Sequence, residues 1–304
     1  MSHTPATRPA RRARAAAGLR SRGVLWLTTP ALAWFGVFTI GPLIGMFVIA
    51  LLDWKGLIYQ PSFAGLGNVT RVFNDPVFYT ALRNSAVQLL IVLPVMMPLA
   101  FMLGYFLNTK PRGYRLLNIL FFTPGLISIS IKGTIFYGVL APGGGLNGLL
   151  DLVGLDWLQT AWLANPATAL SCVVAVDLWS GIGWTAVLFA ARLSSVSSEV
   201  LEAADLDGAG HARKMWQITF PIVKDYFATL TMLQYLWTLF TSAALIILLT
   251  KGGPGNASTT LSFLVYQKAF SQQDLGYSQV VGIVLLLLGI AGMLVIRRVL
   301  RPSI

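Results

Sequence analysis

Lys132 and Asp177 are ionisable side chains inside stretches that are otherwise apolar. A charge at the centre of a membrane span costs about 2.5 to 3.5 kcal/mol on insertion scales, so such residues are kept for a task or for each other. Each sits roughly 12 to 15 Å from the outer end of its window at about 1.5 Å per helical residue, so the two can meet at one level. Paired, they form a structural ion pair. Apart, either can line a cavity and hydrogen-bond hydroxyl groups, while Lys132 can also hold an anion such as phosphate or snorkel outward.

Trp184 lies seven residues after Asp177 on the same helical face, with Gly181 between them leaving room. An aromatic face beside a carboxylate suits a sugar, whose C–H face packs on the ring while its hydroxyls reach polar groups; ordinary packing is the alternative. A second polar stripe is formed by Thr231, Gln234, Thr238 and Thr241, spaced by three, four and three, with Tyr235 and Ser242 beside it. Such a stripe serves either interhelical hydrogen bonds or a polar pathway.

Covalent chemistry finds no footing. The two histidines, His3 and His211, lie outside the apolar windows, and no metal-ligand cluster or nucleophile–base pair is visible, so catalytic and metal residues are expected to be none. No G-x-x-x-x-G-K-[ST] occurs, so this chain has no phosphate-cradling loop and no cofactor site of its own is expected.

The elements that hold these residues follow from composition. A chain of 304 residues with 56% hydrophobic and only 11% charged side chains is no ordinary soluble domain. Six windows, near 24–51, 83–107, 116–140, 167–191, 223–249 and 279–296, are continuous enough to cross the hydrocarbon core, which takes roughly 20 helical residues. A spanning barrel would instead show short alternating segments. The expectation is an all-α membrane protein of six transmembrane helices.

Orientation follows from Lys and Arg, because short loops rich in them stay cytoplasmic. Arg8, Arg11, Arg12, Arg14, Arg20 and Arg22 precede the first window. Lys110, Arg112 and Arg115 fall in the second loop; Arg192, Arg213, Lys214 and Lys224 in the fourth; Arg297, Arg298 and Arg301 close the chain. The opposite loops hold only Lys55, Arg71, Arg83, Lys251 and Lys268. Both termini are therefore expected inside. Residues 1–23 form a basic cytoplasmic tail drawn to anionic headgroups, residues 24–304 the membrane domain, and the net charge of +11 reflects this bias rather than nucleic-acid binding. Ala31-Leu32-Ala33 has too short an apolar run before it for signal-peptide cleavage. The lone Cys172 permits no intrachain disulfide. Gly41 and Gly45 make a G-x-x-x-G packing motif in the first span. Trp157 and Trp162 follow three glycines in the loop after the third window, where a short interfacial helix is expected with both rings at the headgroups.

The fourth loop, 194–221, is polar between two greasy spans. Ser198 is read as the cap of a helix whose start favours Glu199 and Glu202. Gly208 and Gly210 break that helix, a second short one covers about 212–217, and Pro221 opens the fifth span. Glu199, Glu202, Asp205 and Asp207 have the wrong sign for an anionic inner leaflet, so a basic protein partner fits better.

Glu202-Ala203-Ala204, then Gly208, then Ile218, Phe220 and Pro221 resemble the E-A-A…G…I-x-L-P signature of permease subunits of bacterial ABC importers. Phe63 to Asn68, Asp75 to Phe78, Ala81 to Asn84, Gly143 to Leu149, Thr250 to Pro254, and Tyr266, Phe270, Gly276 and Tyr277 look like the carbohydrate-uptake branch, the maltose and glycerol-3-phosphate permeases. Three positions depart from the pattern: Phe220 for a usual Leu, Ser197 for a common Pro, and Thr241 for a frequent Asp. The last bears on substrate class.

The resemblance implies a type I importer permease in a bacterial cell membrane. Its fourth loop would be a coupling helix docked on an ATPase, through Glu199, Glu202, Ala203, Ala204, Asp205, Asp207, Gly208, Arg213 and Pro221. Partners implied are a second, different permease subunit, a cytoplasmic ATPase dimer carrying ATP and Mg, an external solute-binding protein and membrane lipid. The stripe at Gln234, Tyr235, Thr238, Thr241 and Ser242 would fall on the translocation helix, beside Lys132, Asp177 and Trp184. The alternative class is an ion-coupled secondary transporter or channel, which calls for broken helices or a relay of intramembrane acids.

Overall fold

The computed structural model describes residues 27–56 and 58–300. The basic tail expected at 1–23 and Arg301 lie outside the described residues.

Among the described residues, five helices are long and apolar enough to cross a membrane: α1 (Leu27–Ala50), α3 (Pro76–Asn108), α7 (Ala169–Leu193), α9 (His211–Leu249) and α11 (Leu275–Val299). The window expected as the third span is instead two helices, α4 (Tyr114–Leu126) and α5 (Ile129–Leu140). The chain bends there by 97°, so a sixth span exists only as a broken one. Ile127 is extended and the Ser128 side chain accepts the Ile131 amide hydrogen at 3.4 Å, starting a new helix in mid-window. A hydropathy average does not register a single cap.

Shorter elements complete the two ends. A two-residue hairpin pairs β1 (Leu52–Asp53) with β2 (Ser62–Phe63), followed by α2 (Gly67–Phe73). Asp75 caps α3, accepting from the Val77 amide at 2.8 Å, with Pro76 in the first turn. Between α5 and α7, α6 (Gly145–Leu152) is held by buried Asn147. That amide donates to the carbonyls of Pro142 and Thr160 and accepts from the Trp162 indole at 2.7 Å. Trp162 is thus spent inside its loop, whereas Trp157 is 78% exposed and remains the headgroup candidate of the two. The loop after α9 leads to α10 (Leu261–Tyr266), and Asn84 donates to carbonyls of Asn256, Ala257 and Thr259 within it.

Two spans contain a π-helical turn just before a proline: Gly36–Ile40 ahead of Pro42, and Lys214–Thr219 ahead of Pro221. Proline has no amide hydrogen and its ring crowds the carbonyl four residues back; a widened turn relieves both, so each helix continues. The expected separate helix at 212–217 is therefore the start of α9.

Helix α7 packs most extensively on α3 and then on α4, while α9 contacts α3, α5, α7, α10 and α11. Close approach is set by residues without a side chain. A Cβ on Gly183 would lie 1.7 Å from the Phe121 carbonyl oxygen, so α4 and α7 touch backbone to backbone there. Helix α1 packs against α11 and none of its apolar window is buried. Among the described residues, its Gly41 and Gly45 receive no neighbouring helix. Two apolar clusters bracket α7: Val173 and Val176 with Leu245, Ile246, Leu249 and Phe263 at one end, and Phe189 and Leu193 with Phe101, Val223, Phe227 and Leu230 at the other. The space between them is where the polar residues of α7 fall.

Candidate functional site

Between those clusters lies a cavity of about 320 Å³. Helix α7 contributes Asp177, Ser180, Gly181, Trp184, Thr185 and Leu188, which recur every three or four residues and so form one face. Leu230, Leu233, Gln234 and Trp237 form the facing stripe of α9, with Lys132 from α5 and Gly125 from α4. The cavity wall is apolar, with a few polar groups aimed inward, as in small-molecule sites generally.

Asp177 is 8% exposed, and its carboxylate accepts no hydrogen bond from the described residues. Lys132 is near enough to act on it electrostatically, yet the two make no ion pair within 4.0 Å. Ser180 spends its hydroxyl on the Asp177 backbone carbonyl at 3.3 Å. Trp184 stacks on Phe122 of α4, centroids 5.1 Å apart and planes 10° from parallel, which presents one indole face and is worth about 0.5 to 1.5 kcal/mol beyond burial. The room expected at Gly181 is partly taken, because a Cβ there would fall 2.3 Å from the Met96 Cε.

Of the polar stripe expected on α9 (Thr231, Gln234, Thr238 and Thr241, with Tyr235 and Ser242), Gln234 alone lines the cavity. Its amide donates to Thr238 Oγ1 at 3.1 Å, and Thr238 is buried. Thr231 and Thr241 donate to the carbonyls of Phe227 and Trp237 on their own helix. Tyr235 points to α11 and donates to the Leu288 carbonyl at 2.6 Å. Ser242 is buried in a hydroxyl cluster with Thr260 at 3.0 Å and Ser262 at 2.7 Å. In this conformation these side chains hold helices and shape the wall rather than face the cavity. Leu230, Leu233 and Trp237, beside Gln234 on the same heptad, were not singled out because apolar residues in a span carry no distinguishing signal.

A second site stands at the end of the molecule where α7 gives way to α8 (Ser198–Leu206). Ser197, not Ser198, is the cap, accepting the Glu199 amide at 3.2 Å, and so occupies the position where Pro is common in the family resembled. The helix ends in a Schellman turn: the Ala209 amide reaches the Ala204 carbonyl at 2.9 Å and the Gly208 amide reaches Asp205 at 3.0 Å, with Gly208 at φ +70°. Ala204 is buried, whereas Glu199, Glu202, Ala203, Asp205, Asp207, Gly208 and Arg213 are exposed. Pro221 lies further on, inside α9, where Phe220 joins an aromatic cluster with Phe101, Trp216 and Phe227. Leu206 at the tip is 90% exposed. The base of the knuckle is tied by Lys214 Nζ at 2.5 Å from Asp205, while Arg213 bonds Gln217 of its own helix at 3.2 Å. Lys214 was counted in the sequence as a topological charge alone.

Residues 85–304 match the family described as the binding-protein-dependent transport system inner membrane component. The chain belongs to that family. It is a multi-pass inner-membrane transport component, and the probable ABC transporter permease YurN of Bacillus subtilis is 33% identical over 86% of this chain and 90% of its own length. The diacetylchitobiose uptake permease NgcF of Streptomyces coelicolor is 32% identical over 84% of this chain and 75% of its own. A bacterial ABC transporter that imports the acidic polysaccharide alginate superposes with TM-score 0.81 over 95% of this chain and 98% of the other at 21% identity, which fixes the fold as that of an ABC permease. That transporter has also been solved with a periplasmic protein carrying an alginate pentasaccharide. No group of His, Cys, Asp and Glu suited to a metal occurs among the described residues.

Proposed function

We propose that this chain is the membrane permease of an ATP-driven importer, one of two different permease subunits, which passes a sugar or oligosaccharide from an external binding protein into the cell. Both termini face the cytoplasm in this reading. ATP and Mg act on a separate ATPase dimer, and this chain carries no cofactor and no catalytic residue. The observation that carries the reading is the exposed acidic helix α8, rigidly capped at both ends and fused through a short turn to α9, which also walls the cavity.

Motion imposed on α8 by closing ATPases reaches Gln234 and Trp237 through one continuous helix. The solute shifts that equilibrium only as far as it binds one state better than the other. The cavity offers an indole face, a carboxylate, an ammonium and an amide, the group types that recognise hydroxyls and C–H faces. NgcF, named for a disaccharide, and the alginate importer support the same class of cargo.

The test is uptake of labelled sugar into proteoliposomes holding the full complex. ATP-dependent uptake that falls at least tenfold in Glu202→Ala or Gly208→Pro, with assembly intact, supports the reading. Uptake that persists without ATP or the ATPase subunit contradicts it.

A further inference from the structure

The cavity has one anion and one cation on different walls, held apart. Asp177 on α7 is more than nine-tenths buried, accepts no hydrogen bond from the described residues, and stops short of a 4.0 Å contact with Lys132 on α5. A purely structural pair gains by closing, since attraction in a low-dielectric interior rises steeply as the gap narrows. Left open, the carboxylate offers lone pairs and the ammonium offers hydrogens to whatever enters between them. The remaining cavity groups bring no further charge: Ser180, Thr185, Gln234 and the indoles of Trp184 and Trp237 are neutral.

We propose that Asp177 and Lys132 together set the charge class of the solute, admitting uncharged saccharides and disfavouring those that bear a carboxylate or an ammonium. The proposal rests on the cavity being the sugar pathway, as read above. With formal charges summing to zero, a neutral sugar leaves the cavity neutral; its hydroxyls donate to Asp177 and accept from Lys132. A uronate pairs with Lys132 but leaves Asp177 as an uncompensated buried anion. An aminated sugar pairs with Asp177 and leaves the half-buried Lys132 uncompensated. The permease therefore sits apart in selectivity from its structural neighbour, whose cargo is acidic.

The inference makes reciprocal predictions for two variants. Asp177→Asn gives the cavity a net positive charge and Lys132→Gln a net negative one. The complex of this chain with its partner subunits, in nanodiscs and without the binding protein, is titrated with three radiolabelled probes of one shape: cellobiose, cellobiouronic acid and an aminated cellobiose.

Wild type is expected to bind cellobiose at least tenfold more tightly than either charged probe. Asp177→Asn should shift the ratio of uronate to cellobiose affinity at least tenfold toward the uronate, and Lys132→Gln should shift the amine ratio likewise. Should one variant fail to elute as an intact complex, the other still decides the matter. Saturable binding with the same ratios in all proteins overturns the charge assignment and leaves the sugar pathway standing. Absence of saturable binding for every probe removes both.

Discussion

Lys214 Nζ lies 2.5 Å from the Asp205 carboxylate, joining the first turns of α9 to the last turn of α8 across the break at Gly208. Asp205 is 61% exposed, so the pair contributes little to stability. Its value is geometric, since it fixes the angle of the knuckle. Asp205→Ala should leave the melting temperature of the purified complex within a few degrees while lowering sugar moved per ATP split. Equal transport per ATP in variant and wild type would remove the geometric role.

Gly208 stands at φ +70°, where a side chain is strained, and terminates α8 through the Schellman turn. Gly208→Val should destabilise the knuckle by about 1 kcal/mol or more, without touching the membrane core. Expression and monodispersity are expected to persist while the ATPase subunit is lost in affinity co-purification. Full retention of that subunit would count against a rigid turn.

The contact between α4 and α7 depends on Gly183, where even a methyl group meets the Phe121 carbonyl oxygen. Gly183→Ala should destabilise the detergent-solubilised protein by about 1 to 3 kcal/mol, as overpacking does elsewhere. Gly45→Ala, with nothing within 4 Å, is the matched control and should be silent. Thermal unfolding that does not distinguish the two would mean the helices separate freely.

One Asn84 amide nitrogen serves three carbonyls, those of Asn256 at 3.3 Å, Ala257 at 3.0 Å and Thr259 at 2.9 Å. Asn84→Ala strips the loop of that donor, at about 1 to 3 kcal/mol for buried groups left unpaired. Faster amide exchange across 251–260, with the spans unchanged, is the expected readout. Unaltered protection there would show that the loop holds itself.

Apolar continuity made most spans legible, and Gly208 and Pro221 marked the knuckle because special backbone residues act locally. The bend at Ile127 and Ser128 escaped because a cap inside a greasy window leaves hydropathy unchanged. Asp177 and Lys132 stood out as charges inside spans and Trp184 as an aromatic on the same helical face as Asp177, and the structure gathers them around one cavity with Gln234. Tyr235, Thr238, Thr241 and Ser242 shared the same spacing logic, yet they turn to α11, to α10 or back onto α9. Periodicity names a face of a helix but not the neighbour opposite it. That neighbour is decided by close approaches such as Gly183 on Phe121, which exist only in three dimensions.

Photo-crosslinking from the tip of the knuckle tests the central claim most directly. A benzophenone amino acid is placed at Leu206, 90% exposed, in the assembled transporter, with the same group at Leu149, 57% exposed between α5 and α7, as control. The account predicts that Leu206 gives a covalent adduct with the ATPase subunit, altered in yield by ATP, and that Leu149 gives none. Adducts from Leu206 to lipid alone, or an ATPase adduct from Leu149, would contradict it.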